Sequence, residues 1–118
     1  MMYQNQHRIV LIVDDSLEDR EVYRRYLEHD NKNSFKLLLA ESGEEGLELS
    51  TQNLDAVLLD FMLPDFDGLE LLRELKAKPN LKHLPIILLT GYGDETIAVK
   101  AIKSGAQDYL VKGKITSL

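Results

Sequence analysis

Two runs in this chain are apolar at every position, and each stops on an acid. Ile9-Val10-Leu11-Ile12-Val13 leads into Asp14-Asp15, and Ala56-Val57-Leu58-Leu59 leads into Asp60. A half-buried strand alternates apolar with polar residues. A strand that is apolar throughout is covered on both faces, which is the condition of strands in a parallel sheet layered by helices. Ligands of such sheets bind outside the carboxyl ends of the strands, and the three aspartates would meet there. Close carboxylates repel one another, so at neutral pH they stay ionised beside a compensating cation. All-oxygen ligation of this kind suits Mg²⁺, which takes one or two protein carboxylates, keeps several waters and accepts phosphate oxygens. The pattern points to phosphate chemistry.

The rest of the chain repeats the alternation of apolar run and amphipathic segment. Strands are expected over residues 8–13, 35–40, 56–60, 85–89 and 107–111. The first helix, Leu17–Glu28, opens at Ser16 with Asp19 three residues on, as in a capping box. Val22, Tyr26 and Leu27 give it an apolar stripe. Ser42 and Glu45 repeat the capping pattern before a helix running to about Gln52. Leu69, Leu72 and Leu75 recur at helical spacing as far as Ala77, and Pro79-Asn80 breaks that helix. Asp94 caps a segment with Ile97, Ala98, Ala101 and Ile102 on its apolar face, ended by Gly105. Strict strand–helix alternation implies right-handed crossovers. The expected fold is α/β, a doubly wound five-stranded parallel sheet in the flavodoxin-like order 2-1-3-4-5. Strands 1 and 3 are then neighbours at the switch point, which brings Asp14, Asp15 and Asp60 to one edge.

A chain of 118 residues supports one domain, with residues 1–7 as an N-terminal tail and a core over about 8–114. The net charge of -6 argues against nucleic-acid binding by this domain, since phosphate backbones demand Lys/Arg clusters. No apolar run approaches the roughly 20 residues of a membrane span, and the start lacks the apolar region of a signal peptide. There is no cysteine, which excludes disulfides, thiol catalysis and Cys-based zinc sites. These absences favour the cytoplasm.

Two further polar residues end strands on the same side: Thr90 follows 86–89, and Lys112 follows Tyr109-Leu110-Val111. Singly, each has a plain reading. Asp favours turns and caps, Thr90 can satisfy loop backbone, Lys112 can be a solvated charge, and a strand Tyr such as Tyr109 is commonly half-buried for packing. Pro64 and Gly68 are expected to shape their loop rather than touch a ligand. Jointly and in order, Val13-Asp14-Asp15-Ser16, Asp60-Phe61-Met62-Leu63-Pro64-Asp65-Phe66-Asp67-Gly68, Leu89-Thr90-Gly91 and Asp108-Tyr109-Leu110-Val111-Lys112 resemble the CheY-like receiver domain of two-component response regulators. The resemblance covers roughly residues 8–114.

It implies that Asp60 is the phosphoacceptor, taking a phosphoryl group from a histidine kinase or a histidine phosphotransfer protein. Asp15, Asp60 and the Met62 backbone carbonyl would hold Mg²⁺, with Asp14 acting mainly through a metal-bound water. Lys112 and the Thr90 hydroxyl would meet phosphoryl oxygens, and small Gly91 would leave room for them. Thr90 and Tyr109 would form the switch that rearranges an output surface. Such a domain catalyses only its own phosphorylation and dephosphorylation and is not otherwise an enzyme. Its partners would include an effector or kinase module fused C-terminal to this segment. Two features depart from the family. Gly113 stands where a proline after a cis peptide is usual, and the fifth helix is missing or truncated, which implies either a cut fragment or a true loss.

Other classes fit less well. A binding module of the same fold that no longer takes phosphate would not need all five site residues. An aspartyl-nucleophile phosphohydrolase needs a second acid two residues after the nucleophile, where this chain has Met62. A flavin-binding protein of this topology would carry a Ser/Thr/Gly phosphate loop in place of Asp14-Asp15.

Overall fold

Each apolar run becomes a strand, and each amphipathic segment returns the chain to start the next one. The computed structural model describes residues 7–29, 34–91 and 93–114. The order is β1 (His7–Val13), α1 (Leu17–Glu28), β2 (Ser34–Ala40), α2 (Gly43–Leu49), β3 (Ala56–Asp60), α3 (Gly68–Ala77), β4 (Ile86–Thr90), α4 (Glu95–Lys103) and β5 (Asp108–Val111). Short 3-10 turns follow α3 (Pro79–Leu81) and β5 (Lys112–Lys114). The five strands form one parallel sheet in the order β2-β1-β3-β4-β5. That is the expected order, with β1 and β3 adjacent at its switch point.

The side-chain alternation of the strands splits the core into two layers. Leu11, Val13, Val57, Leu59, Ile86 and Leu88 face α2, α3 and α4, whose Leu71, Leu72, Leu75 and Ala101 are fully buried against them. Val10, Ile12, Leu58 and Leu89 face the other way, where Tyr23 and Leu27 of α1 pack. The described residues hold four α-helices. Residues 115–118, expected to open the fifth helix, lie outside the described residues, as do residues 1–6 of the expected tail. No peptide bond in the described residues is cis, and Lys112–Gly113 is therefore trans.

Several local expectations change. In α1 the buried line is Arg20 and Tyr23, with Leu27 part-buried, while Val22 and Tyr26 are exposed. Arg20, Tyr23 and Leu27 lie at i, i+3 and i+7, so periodicity allows this face as readily as the apolar one. This face joins Tyr23 and Leu27 to the core layer of Val10, Ile12, Leu58 and Leu89, and lets Arg20 Nη1 donate to the Asp14 carbonyl at 2.6 Å. In α4, Ala101 is buried and Ile102 is turned out to solvent. The helix α2 stops at Leu49 rather than Gln52, because Ser50 and Thr51 hydroxyls bond back to the Leu47 and Glu48 carbonyls and close the last turn. Conversely β1 starts at His7, paired with Ser34, and β4 runs on through Thr90.

Candidate functional site

The carboxyl ends of β1 and β3 carry the acids. Asp14 and Asp15 follow β1, and Asp60 is the last residue of β3. One carboxylate oxygen from each of Asp14, Asp15 and Asp60 lies within 4.8 Å of the others. Asp14 and Asp60 are buried, and Asp15 is exposed at the mouth. Continuing the strand alternation, Asp14 keeps step with Ile12 and Asp60 with Leu58, so both belong to the α1 side of the sheet.

Lys112, in the turn after β5, reaches across to this cluster. Its Nζ donates to Asp14 Oδ2 at 2.8 Å and to Asp19 Oδ2 at 2.8 Å, and lies 3.3 Å from Asp60 Oδ1. Burial opposes the charge on Lys112. The hydrogen bonds to Asp14 and Asp19 and the charges of Asp14 and Asp60 outweigh it, and the group is held above the usual lysine range. Asp60 is pushed the other way. Burial first, and then the charge of Asp14, raise its pKa to about 6, against the opposing pull of Lys112 and the Met62 backbone N–H. A buried carboxyl with raised pKa beside a second buried acid is an arrangement that functional sites favour and plain turns do not.

Other contacts hold this geometry. Asp14 Oδ1 accepts the Ser16 N–H at 2.9 Å, and its carbonyl is fixed by Arg20, which also reaches Glu41 Oε1 at 3.4 Å. The loop after Asp60 is tied at both ends. Gly68 N–H donates to the Phe61 carbonyl at 2.8 Å, and Asp65 accepts from the Gly43 and Glu44 N–H groups at the start of α2. A Cβ on Gly68 would lie 2.6 Å from Phe61 Cα, so the loop closes only over a glycine. This matches the loop-shaping role expected of Gly68.

Thr90 and Tyr109 occupy the opposite layer. Thr90 is buried at the end of β4, and Tyr109 packs half-buried against the α2–α4 core. Tyr109 is in register with Leu88, and Thr90 with Val111. The two therefore share a sheet face on adjacent strands, two residues apart along the sheet. Gly91 beyond Thr90 is exposed, and a Cβ there would meet nothing within 4 Å. Met62 is exposed on the loop directly after Asp60.

The structure thus gathers Asp14, Asp15, Asp60 and Lys112 into one cluster and sets Thr90 at the same edge of the sheet. Reading the chain by motif missed three residues here. Motif places Asp19 only in a cap and Asp65 only in a loop, and gives Arg20 no role. The signal the sequence holds for Arg20 is its i, i+3, i+7 spacing with Tyr23 and Leu27. Nothing local marks Asp19, whose partner is 93 positions away.

Three hard oxygen ligands at this spacing, two of them buried, with one ammonium among them, fit a small divalent cation. A parallel doubly wound sheet in this order, with such a cluster at its switch point, defines a domain of the flavodoxin-like class with its ligand position at the strands' carboxyl ends. The family profile of the response regulator receiver domain matches residues 10–116, and the chain belongs to that family. It is 42% identical over 104 residues to the transcriptional regulatory protein SrrA of Staphylococcus aureus, a match that covers 87% of this chain and 41% of SrrA. The chain thus spans well under half the length of that relative. Among solved structures, the Mn²⁺-bound form of the response regulator Rcp1 is similar with a TM-score of 0.82 and 26% identity, over 92% of this chain and 84% of that one. A Burkholderia pseudomallei response regulator with a phosphorylated aspartic acid and a calcium ion is similar with a TM-score of 0.78 and 28% identity, over 92% of this chain and 61% of that one.

Proposed function

We propose that Asp60 is the residue of this receiver domain that takes the phosphoryl group, and that the step depends on Mg²⁺. The observation that carries the reading is the meeting of Asp14, Asp15 and Asp60 oxygens within 4.8 Å, with the Lys112 ammonium against two of them. Asp15, Asp60 and the Met62 carbonyl would hold the cation, with Asp14 through water. When bound, the cation supplies positive charge to the transferring phosphoryl oxygens, beyond the single charge of Lys112. The Mn²⁺ of Rcp1 and the calcium and phosphoaspartate of the Burkholderia protein support the reading.

The chain's own residues do the rest. An Asp60 oxygen attacks phosphorus, an O–P bond forms, and the P–N bond of a donor phosphohistidine breaks. Its electron pair returns to the imidazole. Asp60 must be ionised to attack, which its pKa of about 6 permits at neutral pH. Lys112 lies 3.3 Å from Asp60 Oδ1 and donates to a phosphoryl oxygen as a point cation. Thr90 donates its hydroxyl to another oxygen. Its movement is passed to Tyr109 on the same sheet face, a local charge change acting on a two-state element.

The donor proposed is a histidine kinase or a histidine phosphotransfer protein, and the reader of the switch is an effector module, fused or separate. Beyond turning over its own aspartyl phosphate the domain has no proposed catalytic role. No described helix is long and apolar enough to cross a membrane; the cytoplasm is the proposed setting. Incubation with acetyl phosphate and Mg²⁺ should add one phosphoryl mass to the protein and none to Asp60→Asn. An equal adduct on that variant would remove Asp60 from its role.

A further inference from the structure

The capping box expected at the start of α1 forms only in half. Asp19 N–H donates to Ser16 Oγ at 3.2 Å. In the reciprocal half the Asp19 carboxylate would take the Ser16 N–H. Here that N–H goes to Asp14 Oδ1 at 2.9 Å, and Asp19 Oδ2 accepts from Lys112 Nζ at 2.8 Å. The helix terminus gives up a local partner, and the released carboxylate faces the lysine of the site.

An ammonium has three donors and no more. Lys112 places them toward Asp14, Asp19 and Asp60, at 2.8, 2.8 and 3.3 Å. Two of these carboxylates belong to the acidic cluster and are needed for a cation and for phosphoryl transfer. The third, Asp19, lies outside that cluster, part-exposed on the first turn of α1. If Asp19 did not hold its share of the lysine, the ammonium would settle between Asp14 and Asp60. It would then compete there with any divalent cation.

We propose that Asp19 is a positioning residue for Lys112. It draws one of the ammonium's hydrogen bonds toward α1, limits the hold of Lys112 on Asp14 and Asp60, and keeps Lys112 within reach of the phosphoryl group formed on Asp60. The inference rests on the reading of Asp60 as phosphoacceptor beside a Mg²⁺ site. It adds that the metal affinity of this chain is set in part by a carboxylate that does not ligate the metal.

A rival account is that Asp19 acts only through its long-range negative field, which also attracts cations. The two accounts separate in a double-mutant cycle with Lys112. Mg²⁺ is titrated by calorimetry into the 118-residue protein, Asp19→Asn, Lys112→Met and the double variant, without any phosphodonor. If Asp19 acts through the lysine, Asp19→Asn weakens Mg²⁺ binding by about three- to tenfold in the wild-type background and by less than about twofold once Lys112 is gone. An equal loss in both backgrounds would overturn the proposal in favour of the field. Absence of Mg²⁺ binding by the wild type would overturn the metal reading itself, and the proposal with it. Asn keeps the size of Asp19 and its backbone cap. Should Lys112→Met fail to melt cooperatively, Lys112→Gln closes the same cycle.

Discussion

Asp60 sits where two demands conflict. A nucleophile must be charged, yet its carboxyl is buried beside Asp14, and both effects favour the proton. The consequence for stability has a definite sign. The folded-state pKa of about 6 lies above the ordinary aspartate value of 3.8. The folded state therefore binds this proton more tightly than the unfolded chain. The stabilisation is fully present below about pH 3.8 and is lost as pH rises through about 6. Across that window the metal-free protein should lose roughly 2–3 kcal/mol that Asp60→Asn does not lose. Denaturant melts of both proteins at steps between pH 4 and 7.5, in chelator, measure the difference. A wild type that tracks Asp60→Asn throughout would mean that the Asp60 carboxyl is not strained by its site.

At the scale of elements, the site depends on how β3 hands over to α3. The turn after Asp60 must double back so that the Gly68 N–H meets the Phe61 carbonyl, and α3 then starts at once, capped by Asp67 on the Leu69 N–H at 2.7 Å. The clash a side chain at Gly68 would make is with backbone, and no rotamer change relieves it. Gly68→Ala should cost about 1–3 kcal/mol, as overpacking does. Because the displaced atoms belong to the residue after the nucleophile, it should also slow acceptance of phosphate from acetyl phosphate. Thermal melting and adduct mass read the two effects. A variant with the wild-type midpoint and adduct rate would show that the turn yields without strain. The contrast with Gly43 is useful. There the added Cβ would meet the Phe66 side chain, so a ring rather than a peptide has to give.

At the scale of the whole molecule, three carboxylates (Asp14, Asp19 and Asp60) share Lys112 at one edge of the sheet, and the Asp15 carboxylate lies beside Asp14 and Asp60. A divalent cation that binds only the folded state relieves this imbalance and raises stability by mass action. At Mg²⁺ near 100 times its dissociation constant the gain should be about 2.7 kcal/mol. The gain should shrink at pH 5, where Asp60 holds its proton, and vanish in Asp15→Ala at any pH. Midpoints of thermal unfolding with and without Mg²⁺ check all three. A Mg²⁺ shift retained in Asp15→Ala would take that residue out of the ligand set.

Local sequence was enough for the strands, their parallel order and the three acids at the strand ends. An all-apolar run that alternates with amphipathic helices suits a parallel sheet covered on both faces, and the acid that ends it then lies at the sheet's carboxyl edge. Ser16, Ser42 and Asp94 were legible as caps because capping is settled within four residues. The face α1 buries was not legible. Val22 and Tyr26 make as regular a stripe as Arg20, Tyr23 and Leu27, and the buried face is the one that meets the Asp14 carbonyl and the apolar layer of Val10, Ile12 and Leu58, both placed by the sheet. The same holds for Asp19. Its local partner, the Ser16 N–H, is available in the sequence, but Asp14 takes it once β1 and α1 are assembled. Lys112 then arrives from the far end of the chain. Patterns confined to one turn or one strand were determined by the sequence itself. Which polar atom wins a shared partner was decided only when distant segments met, because that choice depends on distances that no local pattern contains.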